Sequence, residues 1–425
     1  MMRSKVFITK WKRFFTVCFS AAICLALLTG CSNTKTVSAD LSYTQSDIGT
    51  LSVPSDVQIV GLGEASHGAS QYHQMKAEVF KALAENNGCR TFIIEGDFGG
   101  ALKVDRYING GNGTAEEAVA EIGFAVYRTQ EMADLVEWMR SYNENVSSEK
   151  ALHFYGMDIQ RFDNNKEYLF SVLDQTHPEL SAEYAGSLAQ LTDENRNSLD
   201  ETTLNSAKES VSELIDKLDA VETDITDRLG QPVFDLAREC AKTIYAYCEL
   251  QLSDNYNAVR DRYMYEKTEW FLQHGDNTVL FINGHNGHIG KTSVAGYTCL
   301  GELLSESLGD RYYSIGTDAR KTQFNSQMDS GEFEVVEVSN ANDLNRQFPA
   351  SDSGQYYFID FASASTDETW AQILSRKQTM TTLNVGLSSL GKLLKTAYTV
   401  NIIPQDTFDA MIVFQSVTPS TILSK

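Results

Sequence analysis

Short apolar runs alternate with stretches of helical periodicity along most of this chain. Val57-Gln-Ile-Val60, Phe92-Ile-Ile94, Leu152 to Asp158, Thr278 to Asn283 and Arg311 to Gly316 read as buried strands. Phe333 to Val338, Gln355 to Phe361 and Ala410 to Phe414 extend the set. Between them, Gln71 to Asn87 places Met75, Val79, Ala82 and Leu83 at helical spacing, and Glu131 to Tyr142 does the same with Leu135, Val136, Trp138 and Met139. Thr114-Ala-Glu-Glu117 has the spacing of a capping box opening a helix. Ser293 to Ser307 reads as one more helix. From Arg161 to Gly275 strand runs vanish and long helical patterns, Ser206 to Leu229 and Phe234 to Leu252, take over. The pattern predicts an α/β fold, a largely parallel central sheet flanked by helices with an inserted helical subdomain. The core spans 51–160 and 276–425, and the insertion 161–275.

Right-handed crossovers put the C-terminal ends of parallel strands on one edge, where sites of open α/β sheets are built. Four predicted strands end there in ionisable residues: Glu64 with His67, Glu95 with Asp97, Asp158, and His285 with His288. Three of the seven histidines fall in these turns, while His73, His153, His177 and His274 read as structural or solvent-exposed. The first turn, Gly61 to Gly68, also leads into a helix whose N-terminal amides favour negative charge. Taken singly, each residue has a plain role as a cap or turn residue; their coincidence at one edge is what marks a site.

Neutral histidine takes a proton from water near pH 7, and a carboxylate on its other nitrogen sets the tautomer. Glu64 or Glu95 can supply that carboxylate, and a second histidine or Arg128 can stabilise an oxyanion. No G-x-S-x-G is present, which favours direct attack by water over a covalent acyl-enzyme. Two histidines and two carboxylates would also suit zinc or manganese, although neither H-E-x-x-H nor a cysteine cluster directs that choice. Ser66 stands at the third glycine position of a dinucleotide loop, which argues against a nucleotide cofactor.

The chain's first thirty residues change the picture of where it works. Arg3, Lys5, Lys10, Lys12 and Arg13 precede a short apolar stretch, Thr16 to Gly30, with no acid among them. Leu28-Thr-Gly-Cys31 resembles a bacterial lipobox, which implies cleavage before Cys31, a lipidated Cys31 and attachment to the outside of the cell membrane. The competing reading is an uncleaved anchor helix. Residues 31–50 then form a polar tether. Loss of the five leading cations takes the formal charge from −22 to −27, and a chain so acidic is no nucleic-acid binder. Cys89, Cys240, Cys248 and Cys299 lie in apolar contexts without a CxxC and read as buried small hydrophobes.

Gly63-Glu-Ala-Ser-His-Gly68, Phe92-Ile-Ile-Glu-Gly-Asp97, Tyr127-Arg-Thr129, Phe154-Tyr-Gly-Met-Asp158, Arg260-Asp261 with Met264, and Gly284-His-Asn-Gly-His288 follow the order of motifs in the erythromycin esterase family. The resemblance covers roughly Ile59 to Ile315; no motif of it lies after Asp318. It implies a cofactor-free, metal-independent hydrolase that opens an ester or macrolide lactone with activated water, in a cleft between an α/β core and a helical portion. It further implies His67 as general base, with Glu64, Glu95, His285 and His288 as the polar cluster around it. Arg128 and Asp158, in matching motifs, are expected to contact a small-molecule substrate. Resistance esterases of this family act inside the cell, whereas the lipobox points outside. Two other readings of the same crevice are a lipoprotein that binds its ligand without turnover and a metal-dependent hydrolase.

Overall fold

The computed structural model describes residues 38–275, 279–328, 330–350, 354–388 and 391–424. Ala39–Lys425 form one compact unit. The leader, Cys31 and the start of the expected tether lie outside the described residues; Ala39 to Thr50 belong to the folded unit, with Ala39 and Ile48 buried.

Among the described residues the strands are β1 (Thr44–Gln45), β2 (Ile59–Glu64), β3 (Thr91–Asp97), β4 (His153–Asp158), β5 (Leu280–His285), β6 (Tyr312–Gln327), β7 (Phe333–Ser339), β8 (Tyr356–Asp360), β9 (Gln378–Thr381), β10 (Thr399–Ile402) and β11 (Ala410–Val417). Nine build one sheet in the order β1-β8-β11-β6-β2-β5-β3-β4, with β7 antiparallel to the second half of β6. The six strands from β11 to β4 run parallel. β8 and β1 add an antiparallel margin, and β9 and β10 form a separate hairpin-like pair.

The apolar runs are continuous because the central strands are covered on both faces. Val60, Leu62, Phe92, Ile94 and Phe281 point into one core. Their immediate neighbours Ile59, Ile93, Leu280 and Ile282 point into the other, the period-2 alternation of a strand. The first core is closed chiefly by α1 (Ser70–Asn86) and α4 (Gln130–Asn143), with α2 (Phe98–Ile108) and α3 (Ala115–Ala120) alongside. α3 opens with the expected capping box, Thr114 and Glu117 bonding reciprocally. The second core lies under α5 (Asp163–Thr176), α6 (Pro178–Ser187), α7 (Glu201–Ala220), α8 (Glu222–Leu229), α9 (Gln231–Leu252) and α10 (Tyr256–His274). The helical stretch is thus the layer covering one face of the sheet.

α2 forms where the glycine-rich stretch Phe98 to Gly113 reads as irregular, β9 and β10 were not expected, and two predicted elements differ in extent. The expected helix at Ser293 to Ser307 is only Leu300–Leu308, following α11 (Asn286–Ile289) and here called α12. Gly296 has φ +80 and breaks the run. Asp261 on α10 accepts the Leu300 N–H at 2.8 Å, which sets where α12 starts. β6 runs far beyond Gly316, because its polar second half has partners: Asp318 accepts from Thr381 N at 3.1 Å and from Asn342 at 2.9 Å. No described helix is long and apolar enough to cross a membrane.

Candidate active site

β2, β5, β3 and β4 are consecutive neighbours and parallel, so their C-terminal ends share one edge. Glu64 lies in register with His285 there. The chain turns sharply after Glu64, and two glycines permit it. A Cβ on Gly63 would strike Asn286, and one on Gly68 would strike the backbone of Asn325 on β6.

Glu64 and His67 meet within this turn, Oε1 and Nδ1 3.0 Å apart. Glu64 is 1% exposed. Its second oxygen lies 3.1 Å from the ammonium of Lys76, an ion pair whose angle departs from that of a hydrogen bond. The Tyr127 hydroxyl donates to Glu64 at 3.3 Å. Burial works against the carboxylate charge, yet Lys76 and the bond from His67 outweigh it and hold the acid well below its usual range. A carboxylate on Nδ1 makes that nitrogen the donor and leaves the lone pair on Nε2, which has no partner among the described residues.

The His285 ring lies 5.4 Å from that of His67, centroid to centroid. Gly287 N–H donates to its Nδ1 at 3.2 Å, which places the proton on Nε2, 3.5 Å from the Thr382 hydroxyl. Burial, then the neighbouring His67, push its pKa down to about 3, so it stays a neutral N–H donor. Glu95 accepts the His285 backbone N–H at 2.7 Å and takes Arg260 Nη2 at 2.7 Å on its other oxygen. Arg260 also grips Asp158, at 2.6 and 3.2 Å, a two-point contact. His288 stands between Asp261 at 2.8 Å and Glu95 at 3.3 Å. Burial opposes its charge, but these two acids prevail and push it up to about 10. Arg260 Nη1 lies 3.0 Å from His288 Nε2; the carboxylates around both cations make that approach tolerable.

Glu64, His67, Glu95, Asp158, His285 and His288 therefore converge. Asp158 does so through Arg260 alone, since it is 0% exposed and its remaining bonds go to Ile159 N–H and Gln160. Asp97 turns away and caps α2, accepting Gly100 N–H at 2.7 Å and Asn165 at 2.9 Å. Arg128 donates to the Ser424 carbonyl at 2.8 Å and stands apart; the arginine among the histidines is Arg260. His73, taken from sequence as structural or exposed, is fully buried and bonds the His67 carbonyl at 2.9 Å.

Lys76, Tyr127, Arg260, Asp261 and Thr382 complete the cluster; Tyr127, Arg260 and Asp261 stood in the motifs quoted above without a site role of their own, and Lys76 and Thr382 stood in none. A signal existed for two of them. Lys76 shares the i, i+3, i+4, i+7 stripe of α1 with Val79, Phe80 and Leu83, all buried. Asp261 shares the buried face of α10 with Met264 and Thr268. A charge on an apolar stripe needs a buried partner. Among the described residues no group of three or more His, Cys, Asp or Glu side chains could hold a metal ion, and the Arg260 guanidinium fills the space between Glu95 and Asp158. Cavities of about 470 and 260 Å³ lie on the helical layer around Glu239, Lys242 and Trp270, and none of the clustered residues lines them.

The site can thus hold a histidine base on a charged carboxylate beside a neutral N–H donor. The chain is similar to erythromycin esterase type II of Escherichia coli, with 23% identity over 301 residues, 61% of this chain and 68% of that one. Among solved structures it resembles a Bacillus cereus protein (TM-score 0.73, 24% identity, 87% of this chain and 91% of the other). It also resembles a succinoglycan biosynthesis protein (0.73, 20%, 87% and 90%). A mutant erythromycin esterase in its open conformation matches at TM-score 0.60 and 16% identity, over 87% and 93%. At such identities these structures establish the fold. The erythromycin esterase family matches residues 84–417, so the stretch from Asp318 to Val417, which carried no recognisable motif, lies within it. With most of its length so matched, the chain belongs to the erythromycin esterase family.

Proposed function

We propose that this chain hydrolyses a carboxylic ester or lactone with water activated by His67. The observation that carries the reading is the Glu64–His67 pair, its Nδ1 on a carboxylate held charged by Lys76 and its Nε2 open beside His285. In this mechanism His67 Nε2 takes a proton from water as the water oxygen attacks the carbonyl carbon. The carbonyl oxygen becomes an oxyanion and accepts a hydrogen bond from His285 Nε2–H, a neutral donor whose bond strengthens as charge develops. The tetrahedral intermediate collapses, the bond to the alcohol oxygen breaks, and His67 returns its proton to that oxygen. No covalent enzyme intermediate is involved. Glu95, Asp158, Arg260 and His288 act as a preorganised frame that orients His285 and bounds the substrate space.

The named relative suggests a macrolide as one substrate to try, among other esters and lactones. The Leu28–Cys31 lipobox supports a diacylglyceryl anchor on Cys31, which would set the site outside the cytoplasmic membrane. The chain beginning at Ser32 should convert members of a panel of esters and lactones, erythromycin included, a lactone to one product heavier by one water and an ester to its acid and alcohol. His67→Ala should lower kcat by about 10²–10⁴-fold. Unchanged turnover in that variant would remove His67 from its role; saturable binding with the ligand recovered intact would favour a binding protein instead. Retention of a Cys31→Ala chain in the membrane fraction with its leader cleaved would overturn the anchor.

A further inference from the structure

The turn that carries His67 is held from behind by the last residues of the chain. Gly68 C=O accepts N–H bonds from Asn325 at 2.9 Å and Ser420 at 3.1 Å. Ser70 N–H donates to Thr418 C=O at 2.8 Å, and Gln71 Oε1 accepts Thr418 N–H at 2.7 Å. Ala69 and Pro419 pair as an isolated antiparallel bridge. The same segment then crosses to the stretch that carries Tyr127. Gln130 N–H donates to Thr421 C=O at 2.9 Å, Leu423 N–H to Arg128 C=O at 3.0 Å, and Thr129 pairs with Ile422. Arg128 returns a bond to Ser424 C=O. Glu131 ties both sides, accepting Ser70 Oγ–H at 2.6 Å and Thr421 N–H at 3.1 Å. These contacts join two loops, 65–70 and 127–130, that meet directly through the Ser70–Glu131 bond and, at the site, through Tyr127, its ring edge-on to that of His67 and its hydroxyl 3.3 Å from Glu64 and 3.4 Å from His67 Nδ1. The family match ends at residue 417, one residue before this segment begins.

We infer that Thr418–Ser424 is a positioning clamp that sets the Glu64–His67–Tyr127 geometry, a role for the C-terminal segment distinct from closing the sheet. The sheet is complete without it: β11 ends at Val417, paired through Thr322 of β6. Backbone groups rather than side chains do most of the holding, so the clamp depends on the path of the segment more than on its composition. The inference rests on His67 as the base for its kinetic consequence, but not for its geometric one.

The test compares the full chain with one ending at Val417, with Ser420→Pro, which lacks the N–H that Gly68 accepts, and with Ser420→Ala, which keeps it. The first readout is the Nδ1–H resonance of His67, which a carboxylate partner moves far downfield in the proton spectrum. It should be sharp in the full chain and in Ser420→Ala, and lost in the other two at temperatures where all four remain folded. The second is turnover of whichever ester the full chain hydrolyses. Here kcat should fall about a hundredfold in the truncated and proline chains, with KM changed by less than about threefold and activity rescued in Ser420→Ala. A truncated chain that keeps both the resonance and kcat overturns the clamp. A resonance lost on truncation in a protein that hydrolyses nothing upholds the clamp while the hydrolase reading fails.

Discussion

Lys76→Met isolates the most exacting electrostatic arrangement in the molecule. Lys76 is 0% exposed and its ammonium lies 3.1 Å from Glu64, itself buried. Burial pulls the Lys76 pKa down and Glu64 recovers only part of that, whereas Glu64 is held far below its usual range. The two shifts are unequal. Burial opposes the charge on both partners, so the pair adds less to stability than its Coulomb energy. That energy at 3.1 Å and an effective dielectric of 20 is about 5 kcal/mol. Methionine fills similar volume but leaves the carboxylate buried beside a neutral neighbour, a loss of about 3–5 kcal/mol. Urea unfolding at pH 7 should register that loss. In the double variant with Glu64→Gln the charge is gone from both sides, and most of the stability should return while hydrolysis does not. The pH dependence follows by sign. A depressed carboxylate contributes stability that is present above its unfolded pKa and lost as pH falls through the folded one. Wild type should therefore lose this contribution only under strongly acidic conditions, so the gap between wild type and Lys76→Met should narrow as the pH falls. A loss below about 1 kcal/mol, or a double variant as unstable as Lys76→Met, would refute the reasoning.

His288 gives the opposite pH signature. Its raised pKa, about 10 against an unfolded value near 6.5, contributes stability that is full below about pH 6.5 and lost as pH rises through about 10. His288→Asn should flatten that alkaline decline; a wild-type imidazole that titrates near its ordinary value by NMR would show that Arg260, not the carboxylates, governs it. Gly68→Ala sets a Cβ against the Asn325 backbone, which cannot yield as a side chain would, and should cost about 1–3 kcal/mol in thermal or denaturant unfolding. Gly88→Ala, where a Cβ meets nothing within 4 Å but φ is +69, separates backbone strain from collision.

Much of the site was legible because parallel strands deliver their ends to one edge. Glu64, Glu95, Asp158 and His285 each close an apolar run, and β2 to β5 carry them there. Asp97, two residues beyond Glu95, shared that sequence position yet serves α2, because a register shift follows Ile94 in the pairing of β3 with β4. Arg128 and Arg260 both stood in motifs, but a motif does not say which way a side chain leaves the backbone: Arg128, just after a 3-10 turn, bonds the Ser424 carbonyl, and Arg260 bonds Glu95 and Asp158. The polar half of β6 was hidden because its partners come from elsewhere: β7, and the Asn342, Asn345 and Thr381 groups that satisfy Asp318.

The sequence alone determined the alternation that builds a parallel sheet and the three-residue spacing that lets Glu64 reach Nδ1 of His67. Both are local, set by backbone periodicity and the reach of a side chain. Only the tertiary structure decided which charge answers which. Lys76 arrives from the second turn of a helix, Arg260 from 102 residues beyond its partner Asp158, and Ser420 from 352 residues beyond the Gly68 carbonyl it holds. Tautomer, protonation and alignment depend on those distant groups, because inside a protein a charge takes its state from whatever stands within a few ångströms of it.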